Sequence, residues 1–297
     1  MGTILPEALV SARSRRAAFL LLDDLVETGA TALDLAASYM LGGTERLIGA
    51  WLRERQHRER LFLVTKGAHP YPLISPNRLT PRAIAEDLDG SLRRLGIEQI
   101  DLYLLHRDHP DAHLEDLVAT LSIQQRAGKF RAFGVSNWHH DRITQLDVLA
   151  HAAGLPSVRA SSPHFSLAEW TRVPWKGSVS IAGSQQDQAR AFYTRAQLPV
   201  LAYSPLGRGY FSGPTSPTGD VYDSQTNTQR KARAQQLADE RGVSTEEVAL
   251  AYLFCQPFPT YAVVATSSAT HLRCNLAAAT QQLTQKELHW LESGEAS

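Results

Sequence analysis

Asp34, Tyr39, Lys66 and His106 are the residue types needed to hand a proton to an oxygen atom. A tyrosine hydroxyl, with a free pKa near ~10, gives up its proton poorly unless a cation stabilises the phenolate left behind. Lys66 can be that cation. Asp34 would keep the ammonium in place and charged, and His106 would hydrogen-bond and orient the substrate oxygen. A carbonyl group receiving hydride needs such a donor. Each residue also has a plainer reading: Asp34 as a turn or helix cap, Lys66 as half of a structural ion pair, His106 as a satisfied polar residue at a rim, Tyr39 as an amphipathic side chain at a loop edge. Their positions in the chain argue for joint action.

Those positions are the ends of extended segments. Apolar residues at helical spacing over 15–28 (Phe19, Leu22, Val26) stop at Gly29 and lead into the short run Thr31-Ala32-Leu33-Asp34. A helix near 44–55 leads into Leu61–Thr65, and a helix with Thr80 as N-cap and Pro81 as first residue leads into Ile100–Leu105. Further strands are expected at 130–135, 157–161, 199–203 and 261–265. Capping boxes Ser244/Glu247 and Thr284/Glu287 mark later helix starts, and 212–228 reads as a surface loop. Alternating strands and helices predict a single α/β domain over 1–297, a (β/α)8 TIM barrel. Seven strands are visible, so the eighth must be a truncated first strand near Gly2-Thr3-Ile4. In such a barrel the C-terminal strand ends share one mouth, where Asp34, Lys66, His106, Ser136-Asn137 and Tyr203 would meet.

The rest of the composition narrows the function. The chain has 297 residues, 43% hydrophobic and 20% charged, with zero formal net charge. Nucleic acid is therefore not an expected partner. No apolar run approaches a membrane span or a signal peptide, and the two cysteines, Cys255 and Cys274, suggest no disulfide framework, so a cytoplasmic location is expected. There is no G-x-G-x-x-G turn, no G-x-S-x-G elbow and no complete zinc pattern around His106/His109 or His139/His140, so no metal is expected. The charged run Arg53–Arg60 reads as a solvated helix end.

The segments ALDLAASY (32–39), LFLVTKG (61–67), LGIEQIDLYLLH (95–106), GKFRAFGVSNW (128–138), AYSPLGRG (202–209) and VVATSSATHLRCNL (263–276) together resemble the aldo-keto reductase superfamily over nearly the whole chain. The resemblance implies a barrel that binds NADPH or NADH in extended form, with Tyr39 as proton donor and Asp34, Lys66 and His106 completing the tetrad. It assigns Ser136 and Asn137 to the nicotinamide carboxamide and Tyr203 to the nicotinamide ring. Ser204, Leu206 and Gly207 would lie along the pyrophosphate, and Ser267, Ser268, Arg273 and Asn275 at the adenosine end. Arg273 with a serine pair suits the 2′-phosphate of NADPH, although it could equally face solvent from a helix. Three departures stand out: Leu35 replaces the usual threonine beside Asp34, the small Ser162 stands where many members place a glutamine against the carboxamide, and the body of the expected first strand is absent.

The expected activity is reduction of a small-molecule aldehyde or ketone. The alternative is a cofactor-binding regulatory or scaffold protein with little turnover. Substrate choice is expected to sit in the loops after residues 39, 66 and 106, around Trp138 and Phe165, and in 208–228. The apolar side chains Met40, Tyr71, Trp138, Phe165, Trp170, Trp175, Tyr210 and Phe211 would contribute either to the pocket or to packing. Oligomeric state is not set by the sequence.

Overall fold

The computed structural model describes residues 2–3, 12–71, 77–212, 221–266 and 268–295. Its contacts divide into two compact units, residues 1–161 with 265–269, and residues 162–264 with 270–297.

The first unit opens with β1 (Gly2–Thr3), α1 (Ala12–Glu27), β2 (Ala32–Asp34), α2 (Gly43–Arg55), β3 (Phe62–Gly67) and α3 (Pro81–Leu95). It continues with β4 (Ile100–Leu105), α4 (Leu114–Arg126), β5 (Phe130–Ser136) and α5 (His140–Ala152), ending at the first residue of β6 (Ser161–Ser162). Strands β1 to β5 pair in parallel and in sequence order. The expected first strand is represented among the described residues by β1, with Gly2 level with Leu33 of β2. Every residue of β4 is buried, as expected where helices cover one face of a parallel sheet and side chains fill the other.

Helix starts follow the expected caps. Thr80 Oγ1 accepts from the Ala83 N–H at 3.3 Å with Pro81 in the first turn. Phe19, Leu22 and Val26 of α1 are buried in one cluster with Leu33, Leu47, Trp51 and Leu63. Between α2 and α3 the backbones approach so closely that a Cβ on Gly49 would lie 2.3 Å from the Arg94 carbonyl oxygen and 2.7 Å from that of Leu95. Gly49→Ala is therefore expected to destabilise the protein by about 1–3 kcal/mol through overpacking, read as a lower urea midpoint.

The charged run 53–60 is more than a solvated helix end. Arg55 pairs with Asp23 at 3.0 Å, and Arg58 pairs at 2.9 Å with Asp101, a residue buried in β4. Asp101 also accepts from the Leu63 N–H at 2.8 Å and pairs with Arg131 at 3.2 Å, so Arg58 is one of two arginines that compensate this buried carboxylate.

The second unit contains α6 (Asp187–Ala196), β7 (Val200–Tyr203), α7 (Gln225–Arg241), α8 (Thr245–Phe254), β8 (Thr260–Ala265), α9 (Ala269–Ala277) and α10 (Gln285–Ser293). β7 and β8 are parallel, with Tyr203 level with Val263. Both capping boxes form, at Ser244/Glu247 and Thr284/Glu287. The loop expected over 212–228 ends earlier: Ser224 caps α7, accepting from the Asn227 N–H at 3.1 Å, so the polar residues 225–228 open a helix. Residues 213–220 of that stretch lie outside the described residues. β6 is shorter and later than the predicted 157–161. The strand order β1 through β8 is that of the (β/α)8 barrel. No helix among the described residues is long and apolar enough to cross a membrane.

Candidate active site

Strand register places three of the four candidate residues, Asp34, Lys66 and His106, on one face. Asp34 is level with Val64, and side chains two residues apart on a strand share a face, so Lys66 stands one pleat beyond Asp34 on the same side. Lys66 is level with Leu104, and the next residue on that face after Leu104 is His106. Leu104 is level with Gly134, which puts Ser136 on that face too. Just past the strands the ladder continues, with Ala37 N–H donating to the Lys66 carbonyl at 2.9 Å and His106 N–H to that of Gly67 at 2.9 Å.

Lys66 Nζ donates to Asp34 Oδ2 at 2.6 Å, to the Leu35 carbonyl at 2.9 Å and to the Tyr39 hydroxyl at 3.4 Å. Burial by itself would push the Lys66 ammonium down, but the charge of Asp34 and the contact with Tyr39 hold it above its ordinary value. The lysine is thus a fixed cation touching the tyrosine oxygen. The Tyr39 ring lies edge-on to His106 at 5.8 Å. His106 is held well below its ordinary value by burial, then by Lys66, His69 and Arg107, so it is neutral at pH 7. One of its ring atoms, Nδ1, is buried and has no hydrogen-bond partner among the described residues, as is true of Asp34 Oδ1.

Non-glycine residues in the left-handed region follow strand ends in each unit. Met40 and Leu41 follow Tyr39, Ala68 follows β3, Asn137 follows β5, and Ser204 follows β7. Each such conformation costs on the order of 1–3 kcal/mol, and strain of this kind collects where a site needs a fixed shape. Asn137 and Ser136 are both buried, and Asn137 Nδ2 donates to Ser136 Oγ at 2.9 Å.

Within the second unit, Ser162 Oγ donates to the Leu201 carbonyl at 2.9 Å. Ser204, at φ 51°, begins a tight turn in which Gly207 N–H donates to its carbonyl at 2.9 Å, with Leu206 inside the turn. Arg273 is exposed on α9 and donates to Thr270 at 3.3 Å, and Asn275 is half-buried on the same helix. In the first unit Ser268 turns back on Thr266, its N–H donating to Thr266 Oγ1 at 3.0 Å. Ser267 lies outside the described residues. Trp138, Phe165, Tyr210 and Phe211 prove to be buried packing, whereas Met40 and Trp175 are exposed.

Sequence reasoning missed two groups. One is His69, in the loop after β3, whose ring meets that of His106 at 4.6 Å. The other surrounds Tyr203: His164 packs 5.9 Å from the Tyr203 ring and stacks on Trp170 at 4.1 Å. Trp170 Nε1–H donates to the Tyr222 hydroxyl at 3.1 Å, so the Tyr222 hydrogen is free to point at His164 Nε2, 3.1 Å away. That leaves the imidazole hydrogen on Nδ1, donated to Ser180 Oγ at 2.8 Å. Burial pushes this histidine down to about 3.

In the unfolded chain a histidine takes up its proton near pH 6.5, so below that value the unfolded state binds more protons and stability falls. His164 should contribute a loss of about 1.4 kcal/mol per pH unit from 6.5 towards 3. Urea midpoints at pH 7 and pH 5 should show a flatter dependence for His164→Gln than for the wild type, and parallel slopes would refute this.

His139, His140 and Asp141 at the start of α5 bring three possible ligand atoms within 4.8 Å of one another, but the positive end of the helix dipole works against a cation there.

A parallel (β/α)8 barrel with a lysine-backed tyrosine at its strand ends is the frame of an oxidoreductase. The profile of the Aldo/keto reductase family matches residues 2–294, and the chain belongs to that family. Similar proteins include norsolorinic acid reductase A of Aspergillus parasiticus, 23% identical over 93% of this chain and 71% of that protein. The NADP(+) aldo-keto reductase yakc of Schizosaccharomyces pombe is 26% identical over 91% of this chain and 80% of its own length. Among solved structures, a thermostable aldo-keto reductase crystallised with the inhibitor epalrestat superposes with a TM-score of 0.74 at 24% identity, over 95% of this chain and 89% of its own. An aldo/keto reductase from Klebsiella pneumoniae bound to NADP and acetate gives 0.72 at 24% identity, over 98% and 88%.

Proposed function

We propose that the protein reduces an aldehyde or ketone to an alcohol with NADPH, NADH serving as an alternative donor. The observation that carries this reading is the Tyr39 hydroxyl lying 3.4 Å from Lys66 Nζ, itself anchored 2.6 Å from Asp34. Tyr39 gives its proton to the carbonyl oxygen. Lys66 stabilises the phenolate that remains, and Asp34 keeps Lys66 charged and immobile. Neutral His106 supplies a hydrogen bond that orients the carbonyl without competing as an acid. The nicotinamide supplies the hydride when bound.

The residues suit such a cofactor: the buried hydroxyl of Ser136 and the buried amide of Asn137, the latter in left-handed backbone, match the donors and acceptors of a carboxamide. Ser162 is turned to the Leu201 carbonyl, so its contact with the carboxamide runs through water or is absent. In the second unit Tyr203, braced by His164 and Trp170, offers an aromatic face for the nicotinamide, and the turn Ser204–Gly207 is assigned to the diphosphate. Arg273 and Ser268 are assigned to the 2′-phosphate, with Asn275 towards the adenosine and Ser267 beside Ser268 in sequence.

The test is to titrate NADPH and NADH into the purified protein by fluorescence and then follow nicotinamide absorbance with a panel of aldehydes and ketones. Turnover with tighter NADPH binding supports the reading. Binding without turnover replaces it with the cofactor-binding regulatory protein, and absence of binding removes both.

A further inference from the structure

His69 takes no part in the proton-delivery scheme, yet it is built into the site. It follows Ala68, held in the left-handed region at φ 61° with its N–H bonded to Asp87 Oδ2 at 2.8 Å, and Arg78 anchors Asp87 at 2.6 Å. Pro70 then restricts the His69 backbone to extended conformations. The loop therefore aims the imidazole, which lies edge-on to His106 with centroids 4.6 Å apart and planes at 72°.

The hydrogen on this ring can be located. Nδ1 lies 2.8 Å from the Pro70 carbonyl oxygen, and a carbonyl only accepts, so Nδ1 carries the hydrogen. Burial holds His69 below its ordinary value, with Arg107 adding to it and the Pro70 carbonyl opposing, so the ring is neutral at pH 7. Nε2 is then a lone-pair acceptor, and it has no hydrogen-bond partner among the described residues. This acceptor belongs to a ring packed directly against His106, the residue read as orienting the carbonyl oxygen.

We propose that His69 is a specificity-determining residue that selects carbonyl substrates bearing a hydroxyl on the carbon next to the carbonyl, by accepting that hydroxyl's hydrogen at Nε2. The inference rests on the reading of Tyr39 and His106 as the carbonyl-binding pair. With their centroids 4.6 Å apart, the two rings stand close enough for one small substrate to touch both. A plain alkyl carbonyl would bury Nε2 against a methylene and leave it unsatisfied, and sites built to hydrogen-bond a substrate group discriminate strongly against analogues that lack it. Hydride adds to the carbonyl carbon, the Tyr39 proton goes to its oxygen, the nicotinamide is oxidised, and the product is a vicinal diol.

The experiment compares hydroxyacetone, methoxyacetone and butanone. Methoxyacetone keeps the electron-withdrawing oxygen but has no hydrogen to donate, so it separates recognition from carbonyl reactivity. In the wild type, kcat/KM for hydroxyacetone should exceed that for methoxyacetone at least ~10-fold, mostly through KM. His69→Leu should bring the ratio close to one, and His69→Gln, which restores an acceptor, should recover part of it. A wild-type ratio near one overturns the proposal without any variant, as does an unchanged ratio in a folded His69→Leu protein. Turnover of other carbonyls but none of these three overturns it while leaving the reductase reading intact. No turnover of any carbonyl defeats the reductase reading as well.

Discussion

Tyr39→Phe is expected to lower kcat for carbonyl reduction by about 10²–10⁴-fold, the range supplied by a positioned general acid. The substitution removes one hydroxyl and keeps the ring, which retains its edge contact with His106 at 5.8 Å and its place 5.1 Å beneath the Lys66 ammonium. Packing, fold and cofactor affinity should therefore stay close to wild type, and the loss should appear in kcat with the NADPH dissociation constant unchanged. Single-turnover absorbance of the reduced nicotinamide, paired with a fluorescence titration, measures both. Retained turnover would take the proton donor away from Tyr39. A parallel loss of cofactor binding would mean instead that the hydroxyl organises the site rather than delivering a proton.

Asp34→Ala is expected to destabilise the protein by about 3–5 kcal/mol, because it leaves a buried ammonium without its counter-charge. Both partners are almost wholly buried, and the 2.6 Å contact uses only Asp34 Oδ2 while Oδ1 has no partner among the described residues. The pair thus carries an uncompensated desolvation cost that an apolar replacement would not. The double variant Asp34→Leu with Lys66→Met should accordingly recover most of the stability lost in Asp34→Ala while remaining catalytically dead. Urea denaturation of the three proteins gives the comparison, and a double variant no more stable than Asp34→Ala would contradict this account. The pH dependence has a definite sign: Lys66 is raised above its ordinary 10.5 in the folded protein. Its stabilisation is complete below that value and is lost only as pH rises through the higher folded one.

How legible the protein was in its residues varied with the range of the interaction. Local signals were read correctly: Thr80 with Pro81, the two capping boxes and the Gly29 stop are satisfied by neighbours within a few residues. Signals that serve two structures were misread. Ser224 and the polar residues after it suit a loop as well as a helix start, and only the bond from Asn227 to Ser224 distinguishes them. Arg58 looked like solvated charge because its partner, Asp101, lies 43 residues further along the chain and is buried there.

The residue types and their places at strand ends were enough to select Asp34, Tyr39, Lys66 and His106, because a proton donor, its cation, the anion that fixes that cation and an orienting imidazole form a recognisable set. The family followed from the same segments. The tertiary structure alone decided that these side chains point the same way. A strand's pleat sends neighbours to opposite faces, so the pairing of Asp34 with Val64 and of Lys66 with Leu104 determines the common face, and a slip of one residue would have dispersed them. His69 and His164 were invisible for a related reason. A histidine becomes an acceptor, a donor or a cation through what its two nitrogens touch, and those contacts, Pro70 for one and Tyr222 with Ser180 for the other, exist only once the chain has folded.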